Sequence, residues 1–309
     1  MKRRTYRAFI CLAILAIIIA VGIAGFSLYQ KHKPQETFSS SISETSEENS
    51  SELSDVSYFE ITFFDVGEGD STLLKCDGQT MLIDGGLPES SSFLYSYLMQ
   101  HGIDYLDYIV CTHAHEDHVG GLSGALNYAR VGTVYAPVTE FDTRAFRSFV
   151  KCLGKQEKEI TVPSAGDSFT LGSASVQIVG PVDMTLAAEN ANNTSIVLRI
   201  VYGETSFLLT GDAETIEEES ILDAGYDIRC DVLRVGHHGS DTSTSDAFLK
   251  VVSPDYCVIS VGKDNAYGHP HDVVVDRIVE SGAIIYRTDL DGYIACTSDG
   301  ENVTFQTEK

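Results

Sequence analysis

Three histidines, His113, His115 and His118, lie within the short stretch HAHEDH, which also contains Asp117. Imidazole nitrogen is the commonest transition-metal ligand in proteins near neutral pH, and carboxylate oxygen also binds zinc and manganese. This spacing offers two pairs of ligands, so we expect two metal ions a few ångströms apart. A polar loop that contains histidine by chance is the weaker alternative, because three of the nine histidines in the chain lie here.

The elements predicted around this stretch place it where active sites are commonly built. Residues 107–112 (DYIVCT) predict a short buried strand, and a helix is expected over residues 122–129, after Gly120 and Gly121. Loops positioned by a rigid scaffold carry a large share of catalytic and binding residues. The HAHEDH stretch is therefore expected to be a site rather than a simple connection.

Three other predicted strands end in residues of the same chemical kind. One strand runs into Asp212, a second into His237 and His238, and a third into Asp84. A carboxylate at a strand end can bridge two metals with its two oxygens, so Asp212 and His237 are expected to complete the ligand set. Asp84 is expected to orient a ligand histidine, because metal-bound imidazoles usually donate their second N–H to such a group.

Short apolar runs alternate with helical patterns from residue 57 to residue 309, in two similar halves. This organisation predicts an α/β (α+β) fold in which two sheets pack face to face with helices outside. One predicted hairpin joins residues 195–201 to residues 206–209. The seven cysteines form no C-x-x-C pair and indicate no disulfide scaffold. A single disulfide bond remains an alternative from the sequence.

The first 56 residues differ in composition from the rest. Residues 8–28 contain no charge and follow four basic residues, so we interpret residues 1–32 as a cytoplasmic tip and one transmembrane helix. A cleaved signal peptide is the alternative, but no clear cleavage motif follows. Residues 33–56, rich in Ser and Glu, predict a disordered linker. Residues 57–309 would then form a folded domain at the cell membrane, outside the cytoplasm.

The net charge of −24 falls on the folded domain, because six basic and six acidic residues cancel before residue 57. Proteins that bind nucleic acid along its phosphates need Lys and Arg to release counterions. The acidic balance therefore counts against non-specific attraction to nucleic acid. A small basic groove is still compatible with this net charge. No obligate protein partner is evident from the sequence.

The chain resembles the metallo-β-lactamase fold superfamily, and within it the hydrolase domains of ComEC-type competence proteins. The matching segments follow one another along nearly all of the folded part: residues 63–71 (FFDVGEGDS), 82–86 (LIDGG), 112–121 (THAHEDHVGG), 193–195 (NTS), 208–212 (LLTGD), 237–240 (HHGS) and 265–270 (NAYGHP). The resemblance covers the hydrolase domain of those proteins and not their many-helix channel, in whose place a single anchor is predicted.

The resemblance implies an αββα sandwich that holds two divalent ions, zinc or manganese. The implied ligands are His113 and His115 for one ion, Asp117, His118 and His237 for the other, and Asp212 as a bridge. Five residues are expected to support the site: Asp65, Asp70, Asp84, Asn193 and Asn265.

The chain departs from the lactamase-type pattern at one ligand position. Lactamase-type and glyoxalase II-type members take a further histidine from the region before the bridging carboxylate, but this chain has no histidine from residue 119 to residue 211. The ion at His113 and His115 would have one protein ligand fewer, and water, substrate or the Asn193 region would complete its shell. An open metal position is typical of a catalytic site.

The implied reaction is hydrolysis of a phosphodiester, because two close divalent ions activate a shared water and neutralise phosphoryl oxygens. Asp117, His238 and His269 are expected to act in catalysis, the two histidines by donating to phosphate or to the leaving oxygen. DNA and a cell-wall polymer such as teichoic acid are the expected substrates. The alternatives are hydrolysis of a lactam, ester or thioester, and a non-catalytic metal-binding module. The missing histidine disfavours a lactamase.

Overall fold

The computed structural model describes residues 58–188 and 190–309. The predicted cytoplasmic tip and transmembrane helix (1–32) and the predicted linker (33–56) lie outside the described residues, and these boundaries stay predictions. Within the described ranges, every helix is too short or too polar to cross a bilayer. The six cysteines in these ranges are all buried and unbridged.

The first of two seven-stranded sheets combines the beginning and the end of the domain. Its strands are β1 (Phe59–Phe63), β2 (Thr72–Cys76), β3 (Gln79–Ile83), β4 (Tyr105–Val110), β5 (Arg130–Tyr135), β13 (Ile294–Ser298) and β14 (Val303–Thr307). They lie in the order β14-β13-β1-β2-β3-β4-β5, and β3, β4 and β5 are parallel. The turn between β2 and β3 is Asp77-Gly78, with φ values of 48° and 80°, which this dipeptide favours in hairpins.

The second sheet is built from the middle of the chain. Its strands are β6 (Ser168–Leu171), β7 (Ala174–Gly180), β8 (Val197–Tyr202), β9 (Thr205–Leu209), β10 (Val232–Arg234), β11 (Tyr256–Ile259) and β12 (Ile284–Arg287). They lie in the order β12-β11-β10-β9-β8-β7-β6, with β9 to β12 parallel. The predicted hairpin is β8–β9, whose two strands meet at Tyr202 and Thr205.

Helices connect the strands of both sheets. They are α1 (Ser91–Gln100), α2 (Glu116–Val119), α3 (Leu122–Tyr128), α4 (Arg144–Lys155), α5 (Thr215–Ala224), α6 (Asp246–Val252), α7 (Asp272–Ser281) and α8 (Thr288–Asp291). In the described part of the chain, four 3₁₀ turns accompany them: Pro88–Ser90, Met184–Ala188, Ala191–Thr194 and Gly236–Gly239. The helix expected over residues 122–129 is α3, which ends one residue earlier.

Three apolar layers show how these elements stack. Strand residues such as Phe59 and Phe207 fill the space between the sheets. Leu82 and Phe149 belong to the layer between the first sheet and its helices, and Phe248 belongs to the layer outside the second sheet. Successive strand side chains point to opposite faces, so each sheet supplies two layers. The predicted αββα sandwich is thus confirmed.

The functional residues follow the carboxyl ends of strands in both sheets. Parallel strands bring their carboxyl ends to the same edge of a sheet, and this applies to β3 and β4 in the first sheet and to β9 and β10 in the second. The predicted strand over residues 107–112 is β4, which ends at Val110. Cys111 and Thr112 therefore belong to the loop that carries the HAHEDH stretch.

Candidate metal centre

Asp212, just after β9, faces histidines from both sheets. Its side chain is buried, and its Oδ2 atom lies close to the Nε2 atoms of four imidazoles: His118 at 3.2 Å, His238 at 3.5 Å, His113 at 3.8 Å and His237 at 3.9 Å. One carboxylate is therefore within reach of histidines that come from the loop after β4 and from the turn after β10. This is the position that a bridging carboxylate requires.

Asp117, His118, Asp212 and His238 form a compact group, here called the four-residue group, whose ligand atoms all lie within 4.8 Å of one another. The Oδ2 atom of Asp117 lies 3.4 Å from Nε2 of His238 and 3.7 Å from Nε2 of His118. Ligand atoms around a tetrahedral zinc ion, each roughly 2.0–2.2 Å from the metal, are about 3.4 Å apart. The group thus has the chemistry and the spacing of a metal site.

Two nitrogen atoms of the four-residue group have no hydrogen-bond partner among the described residues. They are the Nε2 atoms of His118 and His238, whose side chains are buried. Leaving a buried polar atom unsatisfied costs about 1–3 kcal/mol, so such atoms normally have a partner. Two unpaired nitrogens that face carboxylates fit a cation, and the residues present therefore fit a divalent metal ion.

Asp84 holds His118 from behind. The backbone turns through a φ of 55° at Asp84, directly after β3, and the side chain is fully buried. Its Oδ2 atom lies 2.7 Å from Nδ1 of His118, and its two oxygens accept from Thr112 Oγ1 and Thr112 N–H at 2.6 and 2.8 Å. A proton held on Nδ1 leaves Nε2 free for a metal, which is the contact expected of a residue that orients a ligand histidine.

His113 and His115 form the other side of the centre. Nε2 of His113 lies 3.1 Å from Nδ1 of His115, and His113 is buried whereas His115 is partly exposed. Nδ1 of His113 lies 3.2 Å from the hydroxyl of Thr112 and 3.5 Å from that of Ser195. The hydroxyl of Ser195 also accepts the backbone N–H of Asp212, at 2.9 Å. Neutral hydroxyl groups thus back this side, where a carboxylate backs the other.

The two adjacent histidines after β10 take different places. They lie in the 3₁₀ turn Gly236–Gly239, and both have positive φ, 46° at His237 and 55° at His238. His238 is buried beside Asp117 and His118, whereas the side chain of His237 is 21% exposed at the rim. The sequence predicted His237 for the place beside Asp117 and His118, and in the structure the neighbouring His238 lies nearest to those two residues. The left-handed turn is the reason, because side-chain direction no longer follows strand alternation there.

His269 lies on the loop after β11 and faces the same opening. Its ring centroid is 5.6 Å from that of His237 and 6.3 Å from that of His238. Burial, helped by the charges of His238 and His237, lowers the pKa of His269 to about 4, so its ring is neutral at pH 7. The Oδ1 atom of Asn265 accepts from the N–H groups of Tyr267 and His269, which fixes this loop as a supporting residue would.

Arg234, the last residue of β10, is a part of the centre that the sequence interpretation missed. It is fully buried, its Nε atom lies 2.8 Å from Oδ2 of Asp70, and its Nη1 atom lies 3.7 Å from Oδ1 of Asp212. Asp70 is thereby tied to the centre, whereas Asp65 instead accepts an N–H of its own turn. No pattern in the sequence marks Arg234, because the two buried carboxylates that require a cation beside it come together only in the folded structure.

Asn192 lies nearer to the histidines than Asn193, the residue expected from the sequence. Nδ2 of Asn192 lies 3.5 Å from Nε2 of His237 and donates to Oε1 of Glu214 at 3.3 Å. Asn193 accepts the backbone N–H of Glu214 at 3.1 Å, so it fixes the loop before α5. Glu214 was also missed, because nothing in the sequence distinguishes it from an ordinary acidic residue at a helix start.

Carboxylates dominate the electrostatics of the centre. Burial alone lowers the pKa of a histidine, but Asp212, together with Asp84, raises the pKa of His118 well above its usual range. Asp212 likewise outweighs burial at His238 and raises its pKa to about 9. Burial lowers the pKa of His113 well below its usual range, so that ring is neutral. The four-residue group thus attracts positive charge.

The centre opens to solvent through a pocket with a volume of about 330 Å³. Asp117, Asp212 and His238 line its inner part, and Glu68 and Tyr267 belong to its outer part. A small group can therefore reach the four-residue group directly, which a closed structural metal site would not allow.

Comparison with known sequences gives consistent matches. The sequence profile of the metallo-beta-lactamase superfamily matches residues 64–263. The chain is 29% identical over 253 residues to ComE operon protein 3 of Bacillus subtilis. This match covers 76% of this chain and 32% of that protein. It is 32% identical over 234 residues to competence protein ComA of Neisseria gonorrhoeae, and this match covers 75% of this chain and 31% of that protein. The chain spans about a third of the length of these relatives.

Two solved structures share the fold. CmlA, a diiron beta-hydroxylase from Streptomyces venezuelae, superposes with a TM-score of 0.51 at 15% identity, covering 78% of this chain and 54% of that chain. The metallo-beta-lactamase fold protein YhfI from Bacillus subtilis superposes with a TM-score of 0.50 at 12% identity, covering 81% of this chain and 100% of that chain. At these identities the likeness concerns the fold alone.

Proposed function

Because this chain belongs to the metallo-β-lactamase superfamily of hydrolases, we propose that it is a binuclear metal-dependent phosphodiesterase of the ComEC type. The observation that carries the proposal is the four-residue group, whose ligand atoms converge at the inner end of an open pocket. The similarity to two proteins named for the ComE operon and for competence supports a nuclease within this class.

Two sets of residues would hold the ions. The first set is the four-residue group, and the second consists of His113, His115 and the shared carboxylate of Asp212. Both donor sets suit zinc or manganese, since imidazole and carboxylate are ligands of each. When bound, two divalent ions would supply Lewis acidity toward phosphoryl oxygens and a water-derived nucleophile at neutral pH.

The protein's own groups would orient the substrate and move protons. Although burial opposes it, His118 and His238 hold the pKa of Asp117 well below its usual range, so this carboxylate stays ionised and can accept a hydrogen bond from water. His269 is neutral at pH 7 and would donate an N–H to a phosphate oxygen rather than act as a charged acid. His237, at the rim, would contact substrate.

We extend the proposal to location and substrate. The uncharged run 8–28 behind a basic end supports a single membrane anchor with the hydrolase domain outside the cytoplasm. DNA and a cell-wall phosphodiester polymer are both substrates that such a location would offer. Adding protease to intact and to lysed cells tests the orientation. Protection of the C-terminal domain in intact cells would contradict it.

The activity is tested on the purified full-length chain with Mn²⁺ or Zn²⁺. Bis-p-nitrophenyl phosphate, a single-stranded oligonucleotide and nitrocefin are offered separately, and metal content is measured in parallel. We expect about two ions per chain and metal-dependent turnover of a phosphodiester. His115→Ala is expected to abolish that turnover, because it removes a ligand of the second set.

The matched control is His101→Ala, which removes an exposed histidine that bonds only its own helix and stacks on Tyr97. It is expected to leave metal content and turnover unchanged. Turnover of nitrocefin alone would favour the lactam class. No turnover of any of the three substrates would favour a binding module. Fewer than two ions per chain would overturn the binuclear form of the proposal.

A further inference from the structure

Tyr267 and His269 form an aromatic shelf at the mouth of the pocket. Tyr267 is 69% exposed, and its ring stacks on that of His269 with centroids 5.6 Å apart and 21° between the planes. The ring of His269 lies at 29° to that of His238, with centroids 6.3 Å apart. Three rings, each tilted by less than 30° from the next, thus lead from solvent to the four-residue group.

The loop that carries the aromatic shelf is fixed at several points. The side chain of Asn265 accepts the backbone N–H groups of Tyr267 and His269 and donates to the carbonyl of His269. Glu68, from the loop after β1, accepts the N–H of Ala266 at 3.0 Å. Tyr267 is therefore exposed on a well-bonded backbone, so binding a flat ligand there would cost little ordering of the protein.

We propose that the aromatic shelf stacks a nucleobase of a single-stranded nucleic acid whose neighbouring phosphodiester reaches the metal centre. This inference rests on the proposed phosphodiesterase function and adds the chemical class of the group beside the reacting phosphate. Every base has a π face, so stacking on an exposed ring binds single strands without regard to sequence. Tyr267 presents such an exposed ring at the mouth of the pocket.

The shelf fits a flat ring better than a cation. A quaternary ammonium group, such as choline on a wall polymer, is also attracted to aromatic rings and is typically held in a cage of several rings. The rings of Tyr267 and His269 are nearly parallel and therefore present one face rather than a cage.

Stacking also explains how an acidic protein could bind a polyanion. The net charge of −24 leaves little affinity to be gained from phosphate contacts. Stacking does not depend on charge, so affinity for a single strand is expected to change little between 50 and 200 mM salt, apart from competition at the metals. A protein that binds phosphates through Lys and Arg loses affinity steeply over roughly that range.

The test compares two oligonucleotides of equal length, one of thymidines and one with the same backbone and abasic sites. The full-length, metal-loaded chain is compared with Tyr267→Ala and Tyr267→Phe. Tyr267→Ala is expected to lower kcat/KM on the thymidine strand by roughly 5- to 150-fold, the effect of losing one stacked base, and much less on the abasic strand. Tyr267→Phe keeps the ring and is expected to restore the difference between the substrates.

The matched control is Tyr58→Ala, since Tyr58 is a comparably exposed tyrosine just before β1, at the strand end away from the centre. Equal losses on both strands for Tyr267→Ala would overturn the shelf and leave the phosphodiesterase standing. Metal-dependent cleavage of poly(glycerol phosphate) but of neither oligonucleotide would have the same meaning. Cleavage of no phosphodiester at all would overturn the proposed function, and the shelf with it.

Discussion

On one side of Asp212, the imidazole of His118 is backed by a buried carboxylate, whereas on the other side His113 is backed by two hydroxyl groups. The first side belongs to a group of four buried or half-buried ligand-type residues. The second side ends in the partly exposed His115, and the chain has no histidine between residues 119 and 211 to complete it.

From this difference we expect the proposed centre to hold its two ions with unequal strength. A carboxylate behind a ligand histidine fixes its ring and increases its basicity, which strengthens metal binding. Hydroxyl groups fix the ring without adding charge. We therefore expect the ion at the four-residue group to bind more tightly, and the ion at His113 and His115 to exchange more readily and to keep the position open to substrate.

The largest effect is expected for Asp212→Ala, because this carboxylate is common to both sides. Metal content should fall below one ion per chain. The kcat/KM for bis-p-nitrophenyl phosphate should fall by at least about 1,000-fold, since metal ions supply several kcal/mol of transition-state stabilisation. Asp142→Ala, at a fully exposed aspartate, is the control. Two ions retained in Asp212→Ala would contradict a shared carboxylate.

The adjacent pair His238→Ala and His237→Ala distinguishes the two assignments directly. Because His238 lies inside the four-residue group, we expect its loss to weaken the tighter ion by about 100-fold or more. His237→Ala should change metal affinity less than about 10-fold and act mainly on KM, since its ring is at the rim. Calorimetric titration with Zn²⁺ and steady-state kinetics measure both. The reverse order would restore the sequence interpretation.

Asp84→Asn tests the backing of the tighter side. The amide can still contact His118 but cannot supply the negative charge, so we expect the tighter ion to bind about 10- to 100-fold more weakly. Asp142→Asn serves as the control, since Asp142 is a fully exposed aspartate. Unchanged affinity in Asp84→Asn would mean that charge behind the histidine does not create the difference between the sides.

The smallest effect is expected for Ser195→Ala, on the open side. Losing a neutral hydrogen bond costs about 1 kcal/mol, which corresponds to roughly a 5-fold weaker second ion. The tighter ion should be affected less than the second ion, because Ser195 contacts His113 and only the backbone of the shared Asp212. Stepwise metal titration resolves the two ions. A loss as large as that of Asp84→Asn would mean that both sides depend equally on their support.

The fold was predictable because strand ends and ligand residues coincide in the sequence. The HAHEDH stretch follows β4, Asp84 follows β3 and Asp212 follows β9, so local strand patterns were enough to place these groups at one edge. The αββα arrangement follows from strands with two apolar faces, which need a layer of helices on one side and a second sheet on the other.

Other parts of the centre depend on tertiary contacts that no local pattern encodes. His237 and His238 have the same chemistry and adjacent positions. The left-handed turn that contains both of them determines which side chain faces Asp117. Arg234 is fully buried in a short strand, where a charged residue is unusual, and its partner Asp70 comes from the other sheet. Such pairs become visible only when both sheets are in place.

The strand order of the first sheet has a consequence for when the centre can be assembled. β1 lies between β2 and β13, and β13 follows all seven strands of the second sheet along the chain. The first sheet, whose strands precede the loops that carry Asp70 and His113, therefore stays incomplete until the second sheet and then β13 have been synthesised. For the membrane-anchored domain that we propose, export during synthesis would therefore place metal loading outside the cytoplasm, with the ions available there.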